Sequence, residues 1–273
     1  MIAKQIHIHP YNPMWPKLFT EQADALQNLL GRHYLAVHHI GSTSIPGLSA
    51  KEDIDILLVV DDLKQSLQLQ GHGYVFKGEL NVPLRFYYSR NSPACKVNLH
   101  VCEKDHGFIR LNLTFRDALR ASTTLRDAYG SLKLSLIQEP RSHEKRPGQF
   151  SGYNLGKDAF IKKVLNEAGF QDWMLTFCMH HDEWHHYHLL QGNPTSDPLP
   201  HGVDAAHLVL AYGTQIVASA HLRLKDQSAT LIKIATSSDG AAHEAHPMMM
   251  TLLSQWLRFH GKEWDETGRA DKI

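Results

Sequence analysis

Residues 38–60 read HHIGSTSIPGLSAKEDIDILLVV, and this stretch decides the fold of the first part of the chain. An apolar segment is followed by a Gly-Ser turn, a polar loop and then a predicted buried strand that carries Asp53 and Asp55. Side chains alternate across a strand, so both carboxylates are expected on one face. With a serine and free backbone N–H groups nearby, they suit a magnesium ion that holds nucleotide phosphates. The alternative is a strand edge with two solvated acids.

Phosphoryl and nucleotidyl transfer depend mainly on positioning and charge neutralisation, and these needs assign the candidate roles. Asp53 and Asp55 are the predicted metal ligands. The predicted phosphate contacts lie in the preceding loop, where glycine permits close approach, hydroxyl and N–H groups donate, and a lysine neutralises charge. These contacts are Gly41, Ser42, Thr43 and Lys51.

A full site of this kind usually takes a third acid from a neighbouring strand, as a metal ligand or as a base. The candidate strand, KVNLHVCEKD, offers Asn98, His100 and Glu103. His100 is the candidate catalytic residue, either as a base or as a substrate contact. An ordinary histidine on the face of the strand is the equal alternative.

Length and composition set the frame for these assignments. A chain of 273 residues is long enough for two domains, each with its own core. Lysine plus arginine equals aspartate plus glutamate at 28 each, so the balance supports neither a nucleic-acid partner nor an acidic membrane. The sequence has no signal peptide and no apolar run long enough to cross a bilayer, which predicts a soluble, cytoplasmic protein. Cys95, Cys102 and Cys178 have no metal or disulfide spacing and are expected to be reduced thiols.

Periodicity predicts the elements of the first region. Residues 15–30 have the spacing of an amphipathic helix, and residues 61–70 are a second predicted helix that ends at Gly71 and Gly73. Short strands are predicted at 6–8, 34–40, 53–60, 74–76, 84–89 and 96–102, and the last three are expected to pair with the strand at 53–60 in one mixed sheet. From Gly107 to Gly169, where the domain is predicted to end, the pattern is helical.

These segments resemble the GrpB (UPF0157) family, a branch of the nucleotidyltransferase superfamily. The resemblance lies in PYNPMWPKLF, the 38–60 stretch, RFYY, VNLHV, FRDALRAS and KDAFIKKVL, which span nearly the whole first domain in order. It implies a nucleotidyltransferase-like mixed sheet with helices over residues 1–169, Mg2+ as cofactor and a nucleoside triphosphate or other small molecule as substrate. Three cations in these segments are candidate phosphate clamps, with solvated surface charges as the alternative: Arg85, Arg116 and Lys157. Asp53 departs from the family, which usually has an apolar residue there.

The second region, residues 170–273, opens with a histidine cluster in CMHHDEWHHYHLLQG. On a helix, His181, His185 and His188 would share one face with a spacing that suits a transition metal. The alternative is a polar helix face. Two strands joined at Gly213-Thr214, a third strand and the helix PMMMTLLSQWLRFHG follow, and the three methionines are expected to pack in a core or against a partner.

This order resembles the GNAT acetyltransferase fold, whose R/Q-x-x-G-x-G/A loop receives the pyrophosphate of acetyl-CoA. Here the three motif positions fall on Ala241, Glu244 and His246, and a glutamate repels pyrophosphate. The tail also lacks the alternation needed for the last two strands of that fold. The prediction is an incomplete, inactive GNAT-like antiparallel domain, whose open sheet edge favours a homodimer.

The predicted fold class is therefore α/β (α+β), with a nucleotidyltransferase-like domain at 1–169 and a GNAT-like domain at 170–273. The leading functional hypothesis is Mg2+-dependent nucleotide binding, with nucleotidyl or phosphoryl transfer to a small acceptor. Two alternatives remain: a non-catalytic module that binds a ligand or partner, and an N-acetyltransferase that uses acetyl-CoA.

Overall fold

The computed structural model describes residues 5–144, 150–179, 181–192, 204–238 and 242–265, with only the backbone at positions 181, 182 and 242. The chain forms two compact units. Unit 1 comprises Met1–Leu80 and Arg85–Phe170, and unit 2 comprises Asn81–Leu84 and Gln171–Ile273. Each unit is built on a five-stranded sheet. Within the described ranges, no helix combines the length and the apolar character that a membrane span requires.

Unit 1 has helices on both faces of its sheet. Its helices are α1 (Trp15–Leu30), α2 (Gly107–Ala121), α3 (Thr123–Leu136), α4 (Gly152–Leu155) and α5 (Asp158–Glu167). Its strands are β1 (Tyr34–Ile40), β2 (Asp53–Val60), β3 (Val75–Phe76), β4 (Arg85–Asn91) and β5 (Lys96–Glu103). Shorter 3-10 turns lie at Gly31–His33, Ser42–Ser44, Leu63–His72 and Pro140–His143.

The strand order in unit 1 is β1-β2-β5-β4-β3, with β2 parallel to β5 and the other pairs antiparallel. The predicted mixed sheet is therefore confirmed. On one face Phe19 of α1 stacks on His39 of β1 with ring centroids 4.7 Å apart. On the other face, α2 covers a buried cluster of Ile40, Leu57 and Cys102. The two acids of β2 lie beyond this cluster, at the N-terminal end of the strand.

Two sequence predictions for unit 1 differ from the structure in detail. The predicted helix at 61–70 is a 3-10 helix, Leu63–His72, which ends at Gly73 in the left-handed conformation (φ 80°). The last part of the region predicted to be helical forms two helices, α4 and α5, and between them an added Cβ at Gly156 would lie 2.3 Å from Leu136 Cδ2. Only glycine allows such close packing there. Residues 6–8 form no strand; near them, His9 makes a single bridge to Ala50.

Unit 2 consists of α6 (His181–Leu190), α7 (Ala242–Phe259), β6 (Trp173–Phe177), β7 (Ala205–Tyr212), β8 (Gln215–Lys225), β9 (Ser228–Thr236) and β10 (Glu263–Trp264). The hairpin turn at Gly213-Thr214 is confirmed by the antiparallel pairing of β7 with β8. The prediction of a purely antiparallel sheet is wrong, since β10 runs parallel to β9. The sequence pattern missed β6 and β10, and β10 is too short, at two residues, to show alternation.

The core of unit 2 lies between α7 and the sheet. Met249, Leu253 and Leu257 of α7 are buried together with apolar residues of β7 and β8 such as Leu208 and Leu222. Met249 is therefore a core residue, as expected from the sequence. The three cysteines are free thiols, and two of them, Cys102 and Cys178, are buried.

Candidate functional site

The candidate site lies on the α2 face of the unit 1 sheet, where β2 presents Asp53 and Asp55 together, as alternation predicts. The two carboxylates have different surroundings. Asp53 Oδ2 lies 3.0 Å from Lys96 Nζ on β5 and 3.8 Å from Lys51 Nζ. Two ammonium groups therefore flank the partly buried Asp53 carboxylate.

Asp55 is held by a neutral network. Its Oδ1 accepts a 2.8 Å hydrogen bond from Asn98 Nδ2, and Asn98 Oδ1 accepts a 2.9 Å hydrogen bond from the Tyr87 hydroxyl. Burial raises the pKa of Asp55, the hydrogen bond from Asn98 opposes that rise, and the neighbouring charge of Asp53 adds to it. Asn98 is the direct neighbour of Asp55 across the parallel β2/β5 pair, so an amide stands where a third acid was sought.

The β1–β2 loop, residues 41–52, passes directly over Asp55. Gly41 has φ 67°, and a Cβ built there would lie 2.2 Å from Asp55 Oδ2. The close approach predicted at Gly41 therefore exists, and the group that approaches it is the Asp55 carboxylate. Burial raises the pKa of Tyr129, and the nearby Ser42 side chain opposes that rise. The first N–H groups of a helical turn have no acceptor within it, and those of Ser42 and Thr43 find none among the described residues.

Thr43 supports the loop from inside. Its side chain is buried, and its hydroxyl donates to the Asp53 carbonyl oxygen at 3.1 Å. Thr43 Oγ1 also accepts a hydrogen bond from His39 Nε2 at 3.0 Å. Burial, with the nearby charges of Arg120 and Arg116, lowers the pKa of His39 to about 4, so its ring is neutral. Because its hydroxyl already donates one hydrogen bond and accepts another, the Thr43 side chain joins the loop to β2 rather than facing a ligand.

Three lysines converge beside the loop, and we call them the lysine triad: Lys51, Lys133 and Lys157. Lys133 of α3 donates to the Ser49 carbonyl oxygen, and Lys157 donates to Asn154 Oδ1 at 3.1 Å. The ammonium groups of Lys51 and Lys157 lie 5.6 and 4.6 Å from the ring centre of Tyr153. Among the described residues, no carboxylate lies within salt-bridge distance of Lys133 or Lys157.

The triad is electrostatically strained. Burial, followed by the charges of Lys157 and Lys51, lowers the pKa of Lys133 to about 7. Burial and the charge of Lys51 lower the pKa of Lys157 to about 8, although Asp55 acts in the opposite direction. The charged forms of Lys133 and Lys157 are therefore costly here, and a bound anion would reduce that cost.

His100 lies next to Arg85 and not at the open part of the site. Its Nδ1 is 3.3 Å from Arg85 Nη1, and its ring packs against Tyr87 and Phe108. Arginine can only donate, so Nδ1 accepts and the ring proton is on Nε2. Burial and the charge of Arg85 hold the pKa of His100 well below its usual value. This neutral ring is a hydrogen-bond donor at Nε2, and the geometry does not favour the predicted role as a base.

The three predicted phosphate clamps have different positions. Lys157 belongs to the triad. Arg85 is buried, with its guanidinium carbon 5.3 Å from the ring centre of Phe108, and burial lowers its pKa to about 10. Arg116 pairs with Asp117 at 2.7 Å and donates to the His39 carbonyl oxygen at 3.1 Å. Arg85 and Arg116 therefore hold the protein framework together.

Magnesium fits the donors of this face when phosphate supplies the remaining oxygens. Asp53 and Asp55 each have a second carboxylate oxygen that accepts no hydrogen bond from the described residues. Groups of three or more metal-binding side chains are absent from the described part of the chain. Mg2+ commonly binds through one or two carboxylates plus water and substrate phosphates, so two acids suffice.

The predicted histidine face in unit 2 is only partly covered by the described side chains, since that of His181 lies outside them. His188 is buried and stacks on Trp184 at 5.7 Å, whereas His185 is exposed. The two described histidines therefore do not share one environment. In the GNAT-like loop, position 241 lies outside the described residues, while Glu244 is exposed in the first turn of α7 and His246 is exposed two residues later.

Sequence reasoning missed four residues that shape the site: Tyr87, Lys96, Tyr129 and Lys133. The sequence pattern could have identified Lys133, because this residue lies on the buried face of α3, with Tyr129 four residues before it and Leu136 three residues after it. A lysine on an apolar helix face needs a polar partner in the interior. Lys96 alternates with the predicted strand residues Asn98 and His100 and shares their face.

Comparison with known proteins matches this architecture to one family. The sequence model described as GrpB protein matches residues 5–167. A UPF0157 protein of Halalkalibacterium halodurans is 38% identical over 163 residues, which are 58% of this chain and 80% of that protein. The UPF0157 protein YqkA of Bacillus subtilis is 32% identical over 169 residues, covering 60% of this chain and 48% of YqkA.

Two solved structures are also similar to this chain. The crystal structure of the conserved protein GrpB from Enterococcus faecalis is 34% identical, with a TM-score of 0.51, over 59% of this chain and 96% of that one. The Cid1 poly(U) polymerase with Mg and 3'-dATP bound is 16% identical, with a TM-score of 0.37, over 55% of this chain and 50% of that one.

Proposed function

The chain belongs to the GrpB family, and we propose that unit 1 binds a nucleotide through its phosphates, together with Mg2+, beside the β1–β2 loop. One observation carries this proposal: Lys133 and Lys157 converge next to two carboxylates, and their hydrogen-bond partners among the described residues are neutral oxygens. Buried cations without a carboxylate are costly unless an anion joins them. A metal-bound polyphosphate supplies negative charge to the lysines and oxygen ligands to the metal at the same time.

Each residue then has a defined task. Asp53 and Asp55 would hold Mg2+, and Lys96 and Asn98 orient these carboxylates. The Ser42 hydroxyl and the N–H groups of Ser42 and Thr43 donate to phosphate. The lysine triad neutralises phosphate charge. Bound Mg2+ would withdraw electron density from the phosphate oxygens, which promotes transfer of a nucleotidyl or phosphoryl group to a small acceptor.

Binding without transfer is the second candidate, and Asn98 specifically favours it. Asn98 occupies the position beside Asp55 on β5, and an amide cannot take a proton from an acceptor hydroxyl. His100 is turned towards Arg85, so neither residue of β5 supplies a base. A non-catalytic module would bind the same ligand and leave it unchanged.

Isothermal titration with ATP, GTP, CTP and UTP, with and without Mg2+, tests the proposal. We expect at least one nucleotide to bind in a Mg2+-dependent manner, and Asp53→Asn and Asp55→Asn to weaken that binding at least about tenfold, or 1.4 kcal/mol. Asp24→Asn is the matched control, since Asp24 is exposed on α1. If no nucleotide binds, or if both variants bind as the control does, the proposal fails. Phosphorus NMR of the incubated mixture with candidate acceptors separates transfer from binding alone.

For unit 2 we propose a GNAT-like sheet that does not bind acetyl-CoA. The parallel pair β9/β10 joined by α7 supports the first part, and Glu244 in the first turn of α7 supports the second. A carboxylate near a helix N-terminus competes with an incoming phosphate for the same partial positive charge. Titration with acetyl-CoA is expected to give no binding heat, and measurable affinity would overturn this proposal.

A further inference from the structure

Cationic side chains of α2 and α3 donate hydrogen bonds to backbone carbonyl oxygens of β1 and of the β1–β2 loop. Arg116 donates to the His39 carbonyl oxygen at 3.1 Å, and Lys133 donates to that of Ser49. Arg126 donates to the carbonyl oxygen of Pro46 at 3.4 Å. Arg120 makes the strongest contact, because its Nε and Nη2 reach the Ser44 carbonyl oxygen at 3.0 and 2.7 Å. We call these four residues the cationic strap: Arg116, Arg120, Arg126 and Lys133.

Helical spacing explains how the strap is built. Arg116 and Arg120 are four residues apart on α2, and Arg126 and Lys133 are seven apart on α3, so each pair lies on one helix face. Charge-assisted hydrogen bonds to carbonyl oxygens are stronger than neutral ones. A loop that would otherwise bond mainly to water is thereby fixed to two helices.

The contact made by Arg120 bears directly on the candidate site. Ser44 closes the 3-10 turn whose first N–H groups, on Ser42 and Thr43, are open to a ligand. The Ser44 hydroxyl donates to the Gly41 carbonyl oxygen at 2.6 Å, so one residue links both ends of the turn. A guanidinium that holds the Ser44 carbonyl through two donors fixes the tilt of this peptide and, through it, the direction of the turn.

We propose that Arg120 is a positioning residue that acts through the Ser44 carbonyl to hold the 3-10 turn in the orientation that receives phosphate. This inference rests on the proposed function of the loop. Arg120 does not touch the ligand, and its effect passes through Ser44 to Ser42 and Thr43. Preorganised donors of this kind spare a site the cost of ordering a loop when the ligand binds.

The test compares full-length Arg120→Met and Arg120→Lys with Lys163→Met, which removes an exposed charge that pairs only loosely with Glu167 at 3.8 Å. Hydrogen exchange of the ligand-free proteins reports on the amides of Ser44, Ile45 and Leu48, which are bonded within the loop. Titration with MgATP gives the affinity. We expect Arg120→Met to speed exchange in the loop alone and to weaken MgATP at least about tenfold. Arg120→Lys should recover part of both effects, because one ammonium can still reach Ser44.

The possible results separate a positioning role of Arg120 from a role in overall stability. Loop exchange and affinity in Arg120→Met equal to those of Lys163→Met would overturn the inference. So would general acceleration of exchange throughout unit 1, which would mark Arg120 as a residue of overall stability. If Arg120→Met does not fold, Arg120→Lys alone decides by the same two measurements. If the wild type binds no nucleotide, the proposed function is wrong. Hydrogen exchange of the loop amides would then show by itself whether the cationic strap holds the 3-10 turn.

Discussion

At the scale of single residues, Gly41 is the most constrained position of the site. A side chain there meets two independent obstacles: the positive φ of 67° and the Asp55 carboxylate 2.2 Å from an added Cβ. Gly31 also has a positive φ, 52°, but an added Cβ there has no heavy atom within 4 Å. The pair therefore separates backbone strain from steric overlap.

We predict that Gly41→Ala destabilises the protein by several kcal/mol and that Gly31→Ala costs only about 1–3 kcal/mol, the usual cost of a non-glycine residue in a sparsely populated backbone region. Urea unfolding of the two variants measures both costs. The difference between them is the overlap with Asp55. Equal losses would mean that Asp55 moves aside freely, and the close approach would then have no energetic weight.

Asp55 illustrates how a binding site can reduce stability. Its folded-state pKa is raised, so the charged form is disfavoured in the fold and its burial costs stability at every pH above the ordinary carboxyl pKa. Asp55→Asn keeps an oxygen that can accept from Asn98 and removes the charge. We predict a Tm a few degrees above wild type at pH 7, with the gain disappearing as the pH falls below about 4. Thermal unfolding across this pH range checks it, and a lower Tm at pH 7 would contradict the prediction.

At the scale of elements, alternation and helical periodicity predicted much of unit 1. The same-face placement of Asp53 and Asp55 follows from β2 alone, and α1, α2 and α3 follow from the spacing of their apolar residues. The lysine triad could not be predicted from these patterns, because its members come from three separate segments: the loop, α3 and the start of α5. Their convergence depends on how α3 and α5 pack, which local periodicity does not encode. Asn98 was considered among the residues of β5, but only the parallel register with Asp55 shows its role.

The lysine triad predicts how ligand binding depends on pH. The folded-state pKa values of Lys133 and Lys157 are lowered to about 7 and about 8, so both lysines lose charge as the pH rises through this range. A bound polyphosphate favours the charged forms, and binding should therefore take up protons and weaken between about pH 7 and 9. Titration of MgATP in buffers with different ionisation enthalpies measures the proton uptake.

Lys133→Met should remove the part of this uptake that is centred near pH 7, and Lys163→Met should leave it unchanged. In the ligand-free protein, the lowered pKa values reduce the free energy of unfolding. Because the fold disfavours protonated Lys133 and Lys157, this loss of stability is fully present below pH 7 and disappears as the pH rises towards 10. Affinity that is constant from pH 7 to 9 would show that the triad does not contact the ligand.

At the scale of the whole molecule, the two units have separate apolar cores. The unit 1 clusters include Ile45, Leu48 and Leu119, whereas the largest unit 2 cluster is centred on α7 and includes Met249 and Leu253. The candidate magnesium and phosphate contacts all belong to unit 1. A ligand that binds only the folded form of one unit stabilises that unit by mass action.

We therefore predict two transitions in scanning calorimetry of the full chain, only one of which rises on addition of MgATP. Met249→Ala identifies the other, because truncating a fully buried methionine costs about 2–5 kcal/mol and should lower the unit 2 transition alone. Acetyl-CoA should move neither. A single transition that responds to both MgATP and Met249→Ala would show that the units unfold as one cooperative body. The separate cores would then be insufficient to make each unit an independent folding unit.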